Sequence, residues 1–128
     1  MKLMKSVFIG VVCLFVLLAC NKPVYKYNSN FEGVWRTTPV YDSVLHYVVC
    51  SEIEIDGADG FFQSTCKLNG TELCDCIDNH IGKAVMNDTR TQMKIGSKGY
   101  ALSIDEEPNQ DSNGNWTMKI KGLRYYRD

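Results

Sequence analysis

Residues 45–61 read LHYVVCSEIEIDGADGF, and the pattern within this stretch decides the fold class. From Leu45 to Ile55 most odd-numbered positions are apolar, while both glutamates stand at even-numbered positions. A period of two is typical of an antiparallel strand that buries one face and exposes the other. The residues DGADG at 56–60 predict a turn, after which a second strand returns along the first.

A second hairpin is predicted in the C-terminal half, where two alternating runs flank the turn Gly96–Gly99. Its register would set Met93 opposite Leu102 and Ile95 opposite Tyr100. Directly opposed side chains share one face of a sheet, so we expect all four to face the same core.

The remaining segments carry further turn and strand signals. An Asn-Gly pair at 69–70 favours a type I′ hairpin. Residues 75–86 are predicted as a strand end followed by an irregular connection, with a short helix as the alternative. Residues 106–115 are predicted as a polar loop, and Trp116 begins an alternating strand in which Gly122 acts as a bulge. Short strands with frequent turns predict an all-β fold, either a small antiparallel barrel or a sandwich.

Residues 1–20, MKLMKSVFIGVVCLFVLLAC, have the layout of a secretory leader. Two lysines precede an uncharged, mostly apolar run from Val7 to Ala19, which is shorter than the roughly 20 residues that span a bilayer. The closing residues LLAC resemble the lipobox of bacterial lipoproteins, although Leu18 is a less usual occupant of its position. In that family the cysteine receives a diacylglyceryl group and the leader is cut just before it. The resemblance implies a signal peptide at 1–19 and lipidation of Cys20.

The lipid anchor sets the expected location and layout of the mature chain. Several acyl chains hold a protein stably on a bilayer, so a membrane is the expected partner of Cys20. Asn21, rather than an aspartate, follows that cysteine, and by resemblance to the sorting rule of enteric bacteria this favours the outer membrane of the cell envelope. Residues 20–30 are polar, contain Pro23 and predict a lipidated tether, which leaves 31–128 as the folded β domain.

Composition and motifs exclude several classes of function. The formal net charge is -1, so the chain lacks the positive charge expected of a nucleic-acid binder. The sequence contains no P-loop, GxSxG, HExxH or EF-hand pattern. We therefore expect a protein that is not an enzyme, uses no cofactor, has no metal site and binds no nucleic acid.

Residues 31–37, FEGVWRT, open the predicted domain, and Gly33 and Trp35 within them resemble the G-x-W motif of lipocalins and related calycins. In that family the tryptophan packs across the closed end of the barrel, and an arginine near the last strand lies over its ring. The resemblance implies that Arg124 or Arg127 supplies this cation, and we favour Arg124. Short bacterial lipocalin-like lipoproteins are the best match in length. The alternative is that Trp35 is a core aromatic of another small barrel or sandwich.

Four cysteines follow the predicted lipidation site, and an oxidising envelope makes them candidates for disulfides. A hairpin centred on Ala58 would place Cys50 directly across from Cys66. A bond between Cys74 and Cys76 would close a very small, strained loop. The pairing that we favour joins Cys50 and Cys66 each to one member of the Cys74 and Cys76 couple, which gives two disulfides.

The sequence is compatible with several functions. The first is a membrane-anchored, non-enzymatic binding module for a small apolar ligand or a protein partner. The second is an inhibitor of a secreted hydrolase such as lysozyme, which would insert the 106–115 loop into a cleft. The third is a copper or thiol-redox lipoprotein that uses Cys74 and Cys76, with His80 nearby. A fourth, an accessory subunit of a surface complex, would leave no signature in the sequence.

Overall fold

The computed structural model describes residues 22–44, 46–68, 71–72 and 78–128, most of which lie in β-strands. In chain order the strands are β1 (Lys22–Pro23), β2 (Gly33–Thr37), β3 (Val40–Asp42), β4 (Tyr47–Asp56), β5 (Asp59–Leu68), β6 (Thr71–Glu72), β7 (Asp78–Met86), β8 (Gln92–Ile95), β9 (Leu102–Gln110), β10 (Trp116–Ile120) and β11 (Leu123–Arg127). A short helix, α1 (Val24–Tyr27), and a single 3-10 turn (Ser29–Phe31) precede β2.

Eight of these strands close into an antiparallel barrel, which confirms the predicted all-β class. The strands β2, β4, β5, β7, β8, β9, β10 and β11 pair in that order, and β11 returns to pair with β2. Closure gives every strand two neighbours, so the sheet is a barrel rather than a sandwich. Three short strands extend it: β1 pairs with β7, β3 with β4 and β6 with β5. The arrangement is consistent with a lipocalin-like barrel.

The interior of the barrel follows the period of two that the sequence predicts. Along β4, Ser51, Ile53 and Ile55 are buried, whereas Glu54 and Asp56 are exposed. The inner faces of the other strands supply the same kind of side chain, and their burial is the main favourable contribution to folding. The buried apolar cluster consists of Val24, Phe31, Trp35, Ile53, Ile55, Phe62, Ala84, Met86, Met93, Ile95, Leu102, Met118, Ile120 and Tyr125.

Two further hairpins are confirmed. Met93 pairs with Leu102, as the alternation predicted. The β5–β6 hairpin spans the Asn-Gly pair, although those two residues themselves lie outside the described part of the chain. Tyr100, which was expected opposite Ile95, lies before β9 and is 40% exposed. The reason is that the chain after β8 turns at Gly96, whose φ is +76°, and folds over β7.

Three predicted connections differ from the structure. Half of the polar 106–115 segment is strand, because β9 runs to Gln110 and pairs with β10 through two register shifts. Residues 78–86 form β7 rather than an irregular connection or a helix. Gly122 is a turn residue, since Lys121 and Gly122, both at positive φ, join β10 to β11 in a two-residue hairpin. In the first two cases pairing with neighbouring strands decides the structure, which local composition does not reveal.

The segment 22–30 was expected to be a tether, and the structure shows that it packs against the barrel. β1 pairs with Val85 and Met86 at the end of β7. Val24 of α1 and Phe31 of the 3-10 turn are both fully buried. Both apolar side chains join the core, and the polar composition of residues 22–30 concealed the burial of Val24.

The up-and-down order of the strands gives the barrel two distinct ends. The covered end carries α1, the 3-10 turn and the turns at 57–58, 87–91 and 111–115. The far end carries the connections at 38–46, 96–101 and 121–122.

Candidate functional site

The predicted tryptophan and its arginine meet at the covered end. Trp35 is fully buried and its Nε1 donates a hydrogen bond to the carbonyl oxygen of Phe31 at 2.8 Å. The guanidinium of Arg127 lies 4.7 Å from the ring centroid of Trp35 and 4.6 Å from that of Trp116. Arg127 also donates to the carbonyl oxygen of Asn30. Burial lowers the pKa of the Arg127 guanidinium, and two indole faces compensate in part for its lost water.

Arg124, the arginine favoured from the sequence, does not lie over Trp35. Its guanidinium forms a bidentate ion pair with Glu106, at 2.8 and 2.9 Å, on the outer wall. The pair lowers the pKa of Glu106 and raises that of Arg124. The reason is strand alternation: Arg127 shares the inward face of Tyr125, two residues earlier, whereas Arg124 lies on the opposite face. Counting from Tyr125 would have selected the correct arginine.

Gly33 also contributes to the covered end. Its φ is +123°, and a Cβ at this position would lie 3.4 Å from Cδ of Arg127. The glycine therefore leaves room for the arginine stem beside Trp35, and its φ is one that other residues rarely adopt.

A second aromatic cluster lies at the far end of the barrel. Phe62 and His80 are cross-strand partners on the inner faces of β5 and β7, and their rings stack at 5.8 Å between centroids. The ring of Tyr100 meets His80 edge-on at 5.0 Å. The carboxylate of Asp78 accepts a hydrogen bond from the Tyr100 hydroxyl at 2.7 Å and lies 2.9 Å from Nε2 of His80. We call these four residues the far-end cluster.

The far-end cluster combines apolar ring faces with charged groups. Burial, followed by the hydrogen bond to Asp78, raises the pKa of Tyr100 to about 12, so its hydroxyl stays protonated at neutral pH. The ammonium of Lys121 lies 4.2 Å from the centroid of the Tyr100 ring. A ligand with a flat apolar ring can stack on such a site, and polar groups at the edge of that ligand can form hydrogen bonds with the charged side chains.

A polar layer lies inside the barrel between the far end and the apolar core. The hydroxyls of Ser51 and Tyr125 lie 2.6 Å apart, and Ser51 Oγ also donates to the carbonyl oxygen of Gln63 at 3.3 Å. Burial raises the pKa of the Tyr125 hydroxyl. Satisfied hydrogen bonds make this buried layer tolerable within the barrel.

The far end also exposes apolar side chains. Tyr41 is 60% exposed and Val44 is 83% exposed in the β2–β4 connection, with Val40 and Leu68 exposed as well. The Tyr41 hydroxyl lies 3.0 Å from Nδ1 of His46. Sequence reasoning missed both this loop and the far-end cluster; the signal available was Asp78 and His80 at alternate positions, which share one strand face.

Register separates two of the candidate disulfide cysteines. The turn of the β4–β5 hairpin is Gly57–Ala58, so its centre lies between two residues rather than on Ala58. Cys50 is therefore opposite Thr65, and Cys66 is opposite Val49. A shift of one residue moves a side chain to the other face of the sheet, so the prediction that Cys50 lies across from Cys66 is wrong.

The two described cysteines also differ in chemical state. Cys50 carries a free, half-buried thiol, so the prediction that it forms a disulfide is wrong. Cys66 is buried and disulfide-bonded. Cys74 and Cys76 lie outside the described residues, as do Cys20 and the predicted signal peptide.

The structure also bears on the metal and inhibitor hypotheses. Within the described ranges, no group of three His, Cys, Asp or Glu side chains could hold a metal ion. The segment expected to insert into an enzyme cleft is reduced to the turn 111–115, where Asp111 Oδ1 accepts hydrogen bonds from the backbone N–H groups of Asn113 and Asn115.

Among the residues that the structure describes, no helix is long and apolar enough to cross a bilayer.

Comparison of the chain with protein-family models, curated proteins and solved structures finds no match.

Proposed function

We propose that this protein is a lipid-anchored binding module of the bacterial cell envelope that takes a small apolar ligand at the far end of its barrel. The observation that carries this proposal is the far-end cluster. It brings the exposed ring of Tyr100, the ring of His80, the carboxylate of Asp78 and the neighbouring ammonium of Lys121 together at the opposite end from the Trp35 and Arg127 contact. Ligand sites typically join apolar and aromatic walls to a few polar groups that fix orientation.

A matched pair of tyrosine variants tests the ligand site. Tyr100 is 40% exposed in the far-end cluster, and Tyr126 is 39% exposed on the outer wall of β11. We expect Tyr100→Ala to weaken binding of the fluorescent probe anilinonaphthalene sulfonate at least tenfold, while Tyr126→Ala leaves it unchanged (tenfold being about 1.4 kcal/mol). Equal binding by wild type and Tyr100→Ala would reject the site.

Lipid attachment at Cys20 is the part of the proposal that holds the protein on the membrane. It is supported by the leader and by the LLAC sequence at 17–20. Cys13 offers a matched control because it lies within the same leader. We expect Cys20→Ala to abolish incorporation of labelled palmitate and release the protein from the outer-membrane fraction, while Cys13→Ala retains both. Loss of label in both variants, or in neither, would contradict the assignment.

The covalent partner of Cys66 belongs to the same proposal. We propose that Cys66 is joined to Cys74 or Cys76, which follow it on the next segment of the chain. The bond would join the end of β5 to the start of β7 at the far end. Peptide mapping without reduction should recover a linked pair that contains Cys66 and leave Cys50 open to alkylation. Recovery of a Cys50 cross-link would reject this pairing.

A protein partner at the far end is the second candidate. It is favoured by the exposed Tyr41 and Val44, because clustered apolar exposure often marks an interaction surface. A Tyr41→Ala, Val44→Ser double variant should then lose binding of the protein partner and keep binding of the fluorescent probe. Tyr100→Ala should lose probe binding and keep partner binding. The hydrolase-inhibitor and copper or thiol-redox hypotheses stay predictions from the sequence.

A further inference from the structure

One wall of the barrel carries apolar side chains that face outward. Ile81 is 80% exposed at the middle of β7, and Phe61 is its cross-strand partner on β5. Val85 lies four residues further along the same outer face of β7. We call these three residues, with Lys83 and Lys94, the outer-wall patch. Strand alternation places all of them on the solvent side, so the core gains nothing from the apolar members.

Lysines border the apolar part of the outer-wall patch. Lys83 lies between Ile81 and Val85 on the same face, and Lys94 is opposite Val85 on β8. These four side chains line an open groove of about 460 Å³. Lys83 Nζ forms an ion pair with the carboxylate of Asp59 at 2.7 Å. On the other side of Ile81, a smaller groove is lined by Asp59 together with Glu54 and Asp56. The groove towards β8 is therefore the basic one.

The chain that leads to the predicted lipid starts at this wall. Pro23 of β1 pairs with Val85, and Cys20 is three residues earlier. A fully extended chain covers at most about 3.6 Å per residue, so the Cα of Cys20 lies within about 11 Å of that of Pro23. Ile81 is about 13 Å from Val85 along the strand. Lys22 pairs with Met86, so the chain leaves β1 towards the covered end, and a bilayer that holds the acyl chains of Cys20 lies near the Val85 end of the outer-wall patch.

We infer that the outer-wall patch rests on the bilayer surface, with Ile81 among the lipid chains near the headgroups and Lys94 at an anionic phosphate. This inference rests on the lipidation of Cys20 proposed above. Apolar side chains flanked by lysines suit this boundary, because the aliphatic stems stay with the apolar surface while the ammonium groups reach the phosphates. The occupant that we infer is a lipid surface rather than a protein, because Cys20 is only three residues from Pro23 and an anchored bilayer therefore stays near Val85.

Two tryptophan variants of the full lipidated chain test the orientation. Ile81→Trp places a reporter in the patch, and Tyr126→Trp places one on β11, on the opposite wall of the barrel. Each is reconstituted into phosphatidylethanolamine and phosphatidylglycerol vesicles that contain lipid brominated near the headgroup. We expect the bromine to quench the added fluorescence of Ile81→Trp several-fold more than that of Tyr126→Trp. Equal quenching, or stronger quenching of Tyr126→Trp, would overturn the inference.

Flotation of the same samples separates the two proposals. If the protein floats with the vesicles and the two reporters are quenched equally, the anchor stands and the orientation is wrong. If it does not float, the anchor fails and the orientation fails with it.

Wild-type protein gives a measurement free of substitutions. Lys94 should react with a water-soluble amine reagent several-fold more slowly on vesicles than in detergent, relative to Lys121 at the far end. Equal slowing of both lysines would also reject the patch.

Discussion

The two ends of the barrel hold similar groups in different surroundings. At the covered end, the guanidinium of Arg127 contacts the indole rings of Trp35 and Trp116. Trp35 is fully buried and donates a hydrogen bond to the carbonyl oxygen of Phe31. At the far end, Lys121 lies over Tyr100, whose ring remains 40% exposed. A cation over an aromatic ring contributes more when water is excluded from it. The same chemistry therefore closes the barrel where a helical segment covers it, and leaves the ring of Tyr100 accessible at the far end, where we propose the ligand site.

Truncating the tryptophan of the covered end should have the largest effect. Trp35→Ala removes a fully buried ring, its hydrogen bond to Phe31 and one face of the Arg127 contact. We expect the free energy of unfolding in urea to fall by about 3–5 kcal/mol. Tyr41→Ala, an aromatic truncation at a 60% exposed position of the far end, should stay within about 0.5 kcal/mol of wild type. A similar loss in both variants would remove the distinction between the ends.

Two glycines with similar backbone angles test how the far-end loop is held. Gly96 has φ +76° and Gly114 has φ +83°, so alanine strains both by about 1 kcal/mol. A Cβ on Gly96 would lie 2.5 Å from the carbonyl oxygen of Ile81, whereas Gly114 has open space around it. We therefore expect Gly96→Ala to lose about 1–3 kcal/mol more than Gly114→Ala in urea unfolding. It should also weaken probe binding, because this loop carries Tyr100. Equal losses would mean that the loop is not pressed against β7.

How far the sequence predicts this molecule depends on which interactions decide each part. The alternation in residues 45–61 predicts the barrel wall because burial of one face imposes the period of two. The G-x-W resemblance predicts an arginine over the ring of Trp35, and the structure has Arg127 there. The register of Cys50 and Cys66 depends on a two-residue turn, and moving its centre by half a residue changes which faces they share. The far-end cluster was not predicted because a loop far along the chain brings Tyr100 to His80, and no local pattern encodes that meeting.

The two candidate arginines sharpen the comparison at the covered end. Arg127→Met keeps the long apolar stem and removes the cation between the indoles, so we expect a loss of about 2 kcal/mol in the free energy of unfolding. Arg124→Met removes only an exposed ion pair with Glu106, and solvent screens such pairs strongly, so its effect should be much smaller. Thermal or urea unfolding of both variants decides between them. A greater loss for Arg124→Met would restore the arginine favoured from the sequence.

Tyr100 should give the smallest effect, which appears only in alkali. Its pKa is raised from 10.0 to about 12 in the folded protein, first by burial and then by Asp78. The unfolded chain releases the proton near its ordinary pKa, so the folded state binds more protons between the two values and loses stability as pH rises through them. The advantage of wild type over Tyr100→Phe in urea unfolding should therefore be intact below about pH 10 and shrink towards pH 12. Partial exposure of the ring keeps this change small. If the difference in free energy of unfolding between wild type and Tyr100→Phe stays constant across that interval, Tyr100 is as open to water as an ordinary surface tyrosine. The far-end cluster would then lack the partly desolvated hydroxyl that distinguishes it.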